Sequence, residues 1–364
     1  MSEWIANRDA LSNWFGARPA TRVIGVDTEF MRTDTFLAKL ALVQVNVDGA
    51  IALIDAPAID APTAFTERLS NPHALCVMHS ASEDLEAFAG ILPNGPAELF
   101  DTQIAAAMAG LGYGLSYQKL VATLLGIDIP KAETRSDWLQ RPLTASQIEY
   151  AAQDVVHLPS LHDQLAEKLA TLGRSEWLTE DCRRLVARVC MATPDPQPQR
   201  AFRTAFDWPR EQQVRLRRLL LWREAAARRL DKPRPWLLDD ARALNLAADP
   251  PHDANDLFER TKGLRALRTP QRNELLELLR THQASDDQEL APIPPPLDSP
   301  QKRALTAMKD IVAKIAEQLN IPEGLLCARR HLEAFVTDRT WPAALEGWRT
   351  PLLRDALTAK LPSA

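Results

Sequence analysis

The sequence predicts an α/β domain followed by two small all-helical domains. Three features carry that expectation. The first 56 residues hold three β-branched apolar runs, RVIGVDTEF, LALVQVNV and AIALIDA, after which strand-like and helix-like segments alternate. Beyond residue 200 the apolar spacing is helical throughout. Two proline-rich spacers, ATPDPQPQ at 192–199 and ASDDQELAPIPPPLDSP at 284–300, divide the chain. The expected domains are therefore 1–192, 200–282 and 299–361. A chain of 364 residues suits such a division, because single domains rarely exceed about 250 residues.

In chain order, the second and third apolar runs are separated by Asp48-Gly49, a hairpin signal, so the sheet opens antiparallel. ALCVMH reads as a buried strand, and Ser80 with Glu83 forms a capping-box pattern that starts a helix over SASEDLEAFAG. ELFDT is a further strand, IAAAMAG a helix, and LSYQKLVATLLG a helix ending near Gly126. Residues 127–143 lack periodicity and contain two prolines, which predicts a loop with short turns. Thr144 and Gln147 form a second capping box, opening a helix that runs on towards Leu172, and another helix spans 176–191. The two later blocks share a pattern of helices broken by short turns, Lys232-Pro233-Arg234-Pro235 in one and Asn320-Ile321-Pro322-Glu323-Gly324 in the other, which suggests diverged copies.

Composition is that of an ordinary globular protein, with 46% hydrophobic and 25% charged residues, and excludes disordered and fibrous classes. No apolar run reaches the roughly 18 residues of a membrane span, and the N-terminus lacks the pattern of a secretory signal, so a cytoplasmic protein without membrane association is expected. Cys76, Cys182, Cys190 and Cys327 are scattered, as reduced thiols would be. The net charge of −5 conceals an asymmetry: residues 1–190 carry 15 Lys and Arg against 24 Asp and Glu, leaving 28 against 24 for the remainder. An acidic part suited to cations thus precedes a basic part suited to phosphates, although solvated surface charge produces the same split.

Asp27-Thr28-Glu29 ends an apolar strand, and alternation projects both carboxylates from one face. Converging carboxylates beside a core strand call for a hard divalent cation, though a polar strand end fits the same pattern. Asp84 sits in the first turn of a predicted helix, where a carboxylate also serves as a cap, and Glu83 and Glu86 meet the spacing equally well. Tyr150 and Asp154, four apart on a helix, share one face; an ordinary surface hydrogen bond would explain them too.

In order, VDTEF, HSASEDLEAF and EYAAQDV resemble the three motifs of the DEDD exonuclease superfamily in its tyrosine-containing branch. Within that branch the chain is similar to the ribonuclease D family, with TRSDWLQRPLT and FDTQIAA as further matches. The two helical blocks resemble HRDC (helicase and RNase D C-terminal) domains, 200–282 more clearly than 299–361. The resemblance covers nearly the whole chain, and all five motif positions are kept.

That resemblance implies a ribonuclease H-like mixed sheet and a 3′–5′ exoribonuclease that trims extra 3′ nucleotides from tRNA precursors and other structured RNA, releasing 5′-mononucleotides. It implies Asp27, Glu29, Asp84 and Asp154 as ligands of two divalent ions, Mg²⁺ or Mn²⁺, and Tyr150 as the fifth catalytic residue. An unperturbed phenol is a poor base at neutral pH, so Tyr150 is assigned to orienting the attacking water, with acceptance of its proton as the alternative where nearby ions lower the phenol pKa. His79 is read as a core residue; His157 is ambiguous, and Lys131 and Arg135 suit either substrate phosphate or solvent. Arg215, Arg217, Arg218, Arg223, Arg228 and Arg229 form a basic helix for nucleic acid or for solvent. A monomer with no obligate protein partner is the default. A DNA exonuclease with the same site and a non-catalytic RNA-binding scaffold are the alternatives.

Overall fold

A computed structural model describes residues 2–18, 21–129, 136–191, 193–281 and 288–362. Lys131 and Arg135 lie outside the described residues. Among those described, six strands build one mixed sheet: β1 (Ser2–Ile5), β2 (Val23–Met31), β3 (Lys39–Val47), β4 (Ala50–Asp55), β5 (Leu75–Met78) and β6 (Leu99–Asp101). Their order is β1-β4-β3-β2-β5-β6. β2, β3 and β4 pair antiparallel, whereas β1 with β4, β2 with β5 and β5 with β6 are parallel. Asp48 (φ 53°) and Gly49 (φ 81°) both take the left-handed conformation that a twisted two-residue hairpin requires.

Around this sheet lie α1 (Arg8–Gly16), α2 (Thr63–Ser70), α3 (Ser82–Ala87), α4 (Thr102–Met108), α5 (Tyr117–Leu125), α6 (Ala145–Val156), α7 (Leu158–Thr171) and α8 (Ser175–Cys190). Two expectations are corrected here. The helix expected to run from 144 towards Leu172 breaks at His157, because Pro159 lacks an N–H and its ring collides with the carbonyl four residues back. The break frees carbonyls at the end of α6, and the Asn46 amide on β3 donates to two of them, Val155 O at 2.9 Å and Val156 O at 3.1 Å. The Ser80–Glu83 capping box does not form, since Ser80 holds φ 61° and a cap residue needs extended backbone. Asp101, at the end of β6, replaces it by accepting the N–H groups of Ser80 (3.2 Å) and Ala81 (2.9 Å). The second box, Thr144 with Gln147, forms in full. Where α7 begins, Gly25 of β2 leaves room for Leu158, which a Cβ would meet at 3.0 Å.

The chain divides into two compact units. One comprises Met1–Met31, Ala38–Ala192 and Ser299–Ala364; the other comprises Arg32–Leu37 and Thr193–Asp298. In the second unit α9 (Arg210–Leu230), α10 (Arg234–Leu237), α11 (Asp240–Ala248), α12 (Ala254–Arg260) and α13 (Thr269–Arg280) enclose a core that includes Leu216, Leu219, Leu246 and Leu275. The helical segment after residue 299 repeats this unit's opening. Arg210 and Ser299, Arg234 and Glu323, and Asp240 and Arg329 begin matching helices, each pair 89 residues apart. At the same register Asp231 and Asn320 both take left-handed backbone, with φ 47° and 49°.

Residues 299–362 are fastened to α8. Trp348 stacks on Trp177 with centroids 4.3 Å apart, and Arg349 forks onto Asp181 at 2.6 and 2.7 Å, each side chain 9% exposed. Removing one member of a buried pair strands the other charge. Arg349→Met is expected to cost about 3–5 kcal/mol, read as a lower urea midpoint by circular dichroism. Arg349→Met with Asp181→Leu should recover part of the loss; equal midpoints for Arg349→Met and wild type would show that the pair is not structural.

Candidate active site

Asp27 and Glu29 stand on one face at the end of β2, as strand alternation requires, and α6 brings Asp154 to them. Carboxylate oxygens of these three residues lie within 4.8 Å of one another. Asp84 approaches from α3, buried, with its Oδ1 accepting the Thr28 hydroxyl at 2.5 Å. Its neighbours Glu83 and Glu86 are exposed, so burial separates the three acids that spacing left equivalent. Thr28 itself escapes a sequence reading, because alternation sends it to the face opposite Asp27 and Glu29. It reaches α3 where β2 runs beyond its last pair with β5, Gly25 with Val77.

Asp27, Glu29 and Asp154 keep part of their surface open, as groups lining a cleft must. Enough protein surrounds them that burial, followed by mutual repulsion for the strand pair, still raises their pKa values. Asp27 is held well above the carboxylate range by burial and then by Asp84, Asp154 and Glu29. Glu29 is pushed up to about 8 by burial, with Asp154 and Asp84 adding to it. Burial lifts Asp154 to about 7 against a hydrogen bond from Tyr150, and Asp84 to about 6 against its bond from Thr28. Four carboxylates that resist ionisation together lack a compensating positive charge. The donor set is oxygen only, and the one nearby thiol, Cys76, is buried and held protonated, so a hard divalent cation fits.

Tyr150 is half-buried, its ring 6.0 Å from that of Trp138. Burial and the surrounding carboxylates raise its pKa, so the phenol keeps its proton and donates to Asp154. Arg141 anchors the segment before α6. It forks onto Asp55 at 3.0 and 2.7 Å and donates to Trp138 O at 2.7 Å and Ala41 O at 2.8 Å. No local sequence pattern marks Arg141, because its partners Asp55 and Ala41 lie 86 and 100 residues away.

His79 is a core residue: its Nε2 lies 3.0 Å from Leu115 O and its Nδ1 2.9 Å from the Thr102 hydroxyl. A carbonyl only accepts, so Nε2 carries the proton of the neutral ring that burial favours. His157 lies at the α6–α7 break, where its backbone N–H donates to the Tyr117 hydroxyl at 3.1 Å. The basic helix is α9, and its arginines are committed internally. Arg215 pairs with Glu211, Arg217 with Glu289, Arg223 with Asp240, Arg228 with Glu224 and Arg229 with Glu274, while Arg218 donates to Thr281 O.

A mixed sheet presenting a cluster of carboxylates at the end of β2, completed from α3 and α6, defines a nuclease of the 3′–5′ exonuclease class, and a family described as 3′–5′ exonuclease matches residues 2–170. The full chain is similar to curated ribonuclease D proteins. It is 42% identical to that of Xanthomonas oryzae pv. oryzae over 97% of this chain and 96% of the relative, and 34% identical to that of a Shewanella species over 99% and 94%. Among solved structures it resembles Escherichia coli RNase D, described as an exoribonuclease involved in structured RNA processing, at 27% identity and a TM-score of 0.84 over 99% of this chain and 98% of that one. The chain belongs to the ribonuclease D family. It is a hydrolase, a 3′–5′ exoribonuclease with RNA as substrate, of a fold family that uses divalent metals. Among the described residues no helix is long and apolar enough to cross a membrane.

Proposed function

We propose that this exoribonuclease trims extra 3′ nucleotides from tRNA precursors and other structured RNA, with Asp27, Glu29, Asp84 and Asp154 as ligands of two Mg²⁺ or Mn²⁺ ions and Tyr150 beside them. The observation that carries the reading is the convergence of acids that resist ionisation in the absence of a cation. When bound, such ions supply positive charge to both the attacking and the departing oxygen of an in-line displacement. The protein's own groups do the rest. The four carboxylates bind, and Thr28 fixes the rotation of Asp84 by its hydrogen bond. The Tyr150 hydroxyl, already aimed at the cluster through Asp154, orients the attacking water by hydrogen bond. Water adds to the terminal phosphorus, the P–O3′ bond breaks, the 3′-oxygen leaves with a proton, and a 5′-mononucleotide departs.

We read residues 200–282 and 299–361 as HRDC domains, the first contacting nucleic acid, and the chain as a cytoplasmic monomer needing no protein partner. With the α9 arginines engaged in internal pairs, charge on the more exposed ones, Arg228 and Arg229, is what remains for phosphate. Matched 3′-tailed substrates test substrate choice. Incubation with Mg²⁺ should shorten a tRNA bearing extra 3′ residues and a tailed RNA hairpin stepwise, and leave the DNA hairpin largely intact. Preferential digestion of the DNA would overturn the ribonuclease assignment, and an intact tRNA beside a shortened hairpin would remove tRNA precursors from the substrates.

A further inference from the structure

Within the first compact unit, a cavity of about 470 Å³ opens between α4, α8 and the helical segment after residue 322. No group of the carboxylate cluster lines it. Its character is cationic. Arg184, Arg188, Arg330 and Arg349 line it, and among the described residues the only lining carboxylate, Asp181, is already held by Arg349. Arg184 is engaged with Glu180 and with the carbonyls of Ala344 and Glu346. Arg188 and Arg330 are exposed, and neither has an ion-pair partner among the described residues, in contrast with the arginines of α9. Neighbouring positive charge is felt locally: after burial, Arg330 and Arg349 depress the His331 imidazole further.

Tyr113 adds an aromatic platform. It is 71% exposed at the cavity's edge, in a loop where Gly110, Gly112 and Gly114 all take positive φ. Gly110 packs so tightly on Asn320 that a Cβ would lie 2.9 Å from its carbonyl oxygen, which pins the loop's first end. The other end is bonded to the catalytic elements. Leu115 O accepts from His79, at the end of β5, and the Tyr117 hydroxyl donates to Gln153 O beside Asp154. Tyr113 lies four positions before Tyr117, at most ~14 Å of extended chain, so the platform lies within reach of a strand leaving the carboxylates.

The geometry points to this cavity as the seat of the single-stranded RNA immediately 5′ of the scissile nucleotide, with phosphates held by Arg188 and Arg330 and a base stacked on Tyr113. Charge and an aromatic face together are what unpaired RNA requires. The inference rests on the exoribonuclease reading, and the experiment separates the two. Using the full chain, binding of a fluorescein-labelled single-stranded RNA is followed by anisotropy in EDTA, and hydrolysis of that RNA and of a dinucleotide is followed with Mn²⁺. Arg188→Glu with Arg330→Glu should weaken binding and raise KM for the longer RNA roughly tenfold or more, and flatten the dependence of log Kd on log salt by about 1.4, with dinucleotide turnover within twofold of wild type. Arg188→Lys with Arg330→Lys should retain most of the affinity, and Tyr113→Ala should lose about 1–3 kcal/mol of binding, or roughly 5- to 150-fold. Unchanged affinity in the reversed-charge protein, or a parallel loss on the dinucleotide, would overturn the seat. Failure of wild type to hydrolyse either substrate would instead overturn the ribonuclease reading, while anisotropy still reports on the cavity.

Discussion

Asp27→Asn is expected to lose turnover by about 10³-fold or more and, at the same time, to make the metal-free protein more resistant to heat at alkaline pH. Loss of charge stabilisation worth several kcal/mol accounts for the first effect. The second follows from the repulsion in which Asp27 takes part. In the folded protein Asp84, Asp154 and Glu29 titrate near 6, 7 and 8, all above their ordinary values. Groups so raised contribute stability that is complete below the unfolded carboxyl pKa near 4 and is lost as pH climbs through their folded values. The metal-free melting temperature should therefore fall between about pH 5 and pH 8, and the Asn variant should fall less, by about 2–4 °C for each kcal/mol relieved. Added Mg²⁺ or Mn²⁺ should raise the wild-type midpoint most at the alkaline end, because binding must displace protons. Calorimetry in EDTA and in metal at both pH values, beside a turnover assay, reads every part; parallel pH curves for variant and wild type would remove the repulsive cluster, and unchanged turnover would remove the site.

Tyr150→Phe should behave in the opposite way. It leaves the ligand set intact and preserves the ring packed beside Trp138, so Mn²⁺ affinity at about pH 8 should match wild type while kcat falls about 10²-fold. The hydroxyl also lowers the Asp154 pKa by donating to it, so the variant's metal affinity should weaken first towards acid pH. Mn²⁺ titration by electron paramagnetic resonance, run with single-turnover kinetics, separates binding from chemistry. A variant as fast as wild type would remove Tyr150 from the reaction.

The legibility of this site in its sequence was uneven for physical reasons. Strand alternation alone placed Asp27 with Glu29, and helical spacing placed Tyr150 with Asp154. Choosing Asp84 over Glu83 and Glu86 needed the order of motifs, because burial, which separates them, depends on how α3 meets β2. The Ser80 capping box failed because the left-handed turn at Ser80 is imposed by Asp101, 21 residues away, and such a partner leaves no local pattern. The break before α7 is legible at Pro159, whose missing N–H outweighs the continuous apolar period around it. β1, four residues long, is too short to show a period and is held by its parallel partner β4.

Helix α6 is secured at both ends. Its first turn is closed by Thr144 and Gln147 just beyond the Arg141 fork, and its last carbonyls are held by Asn46 from the sheet. Tyr150 and Asp154 ride between these supports, on the element that must meet β2 to complete the cluster. On the proposed assignment the consequence is preorganisation: Tyr150 and Asp154 are set before substrate arrives, so little free energy goes into reorganising them during the chemical step. A chemical centre fixed in this way has little scope to discriminate among nucleotides by adjusting its own shape. Discrimination between RNAs then falls to surfaces that the substrate reaches before its 3′ end enters the cleft.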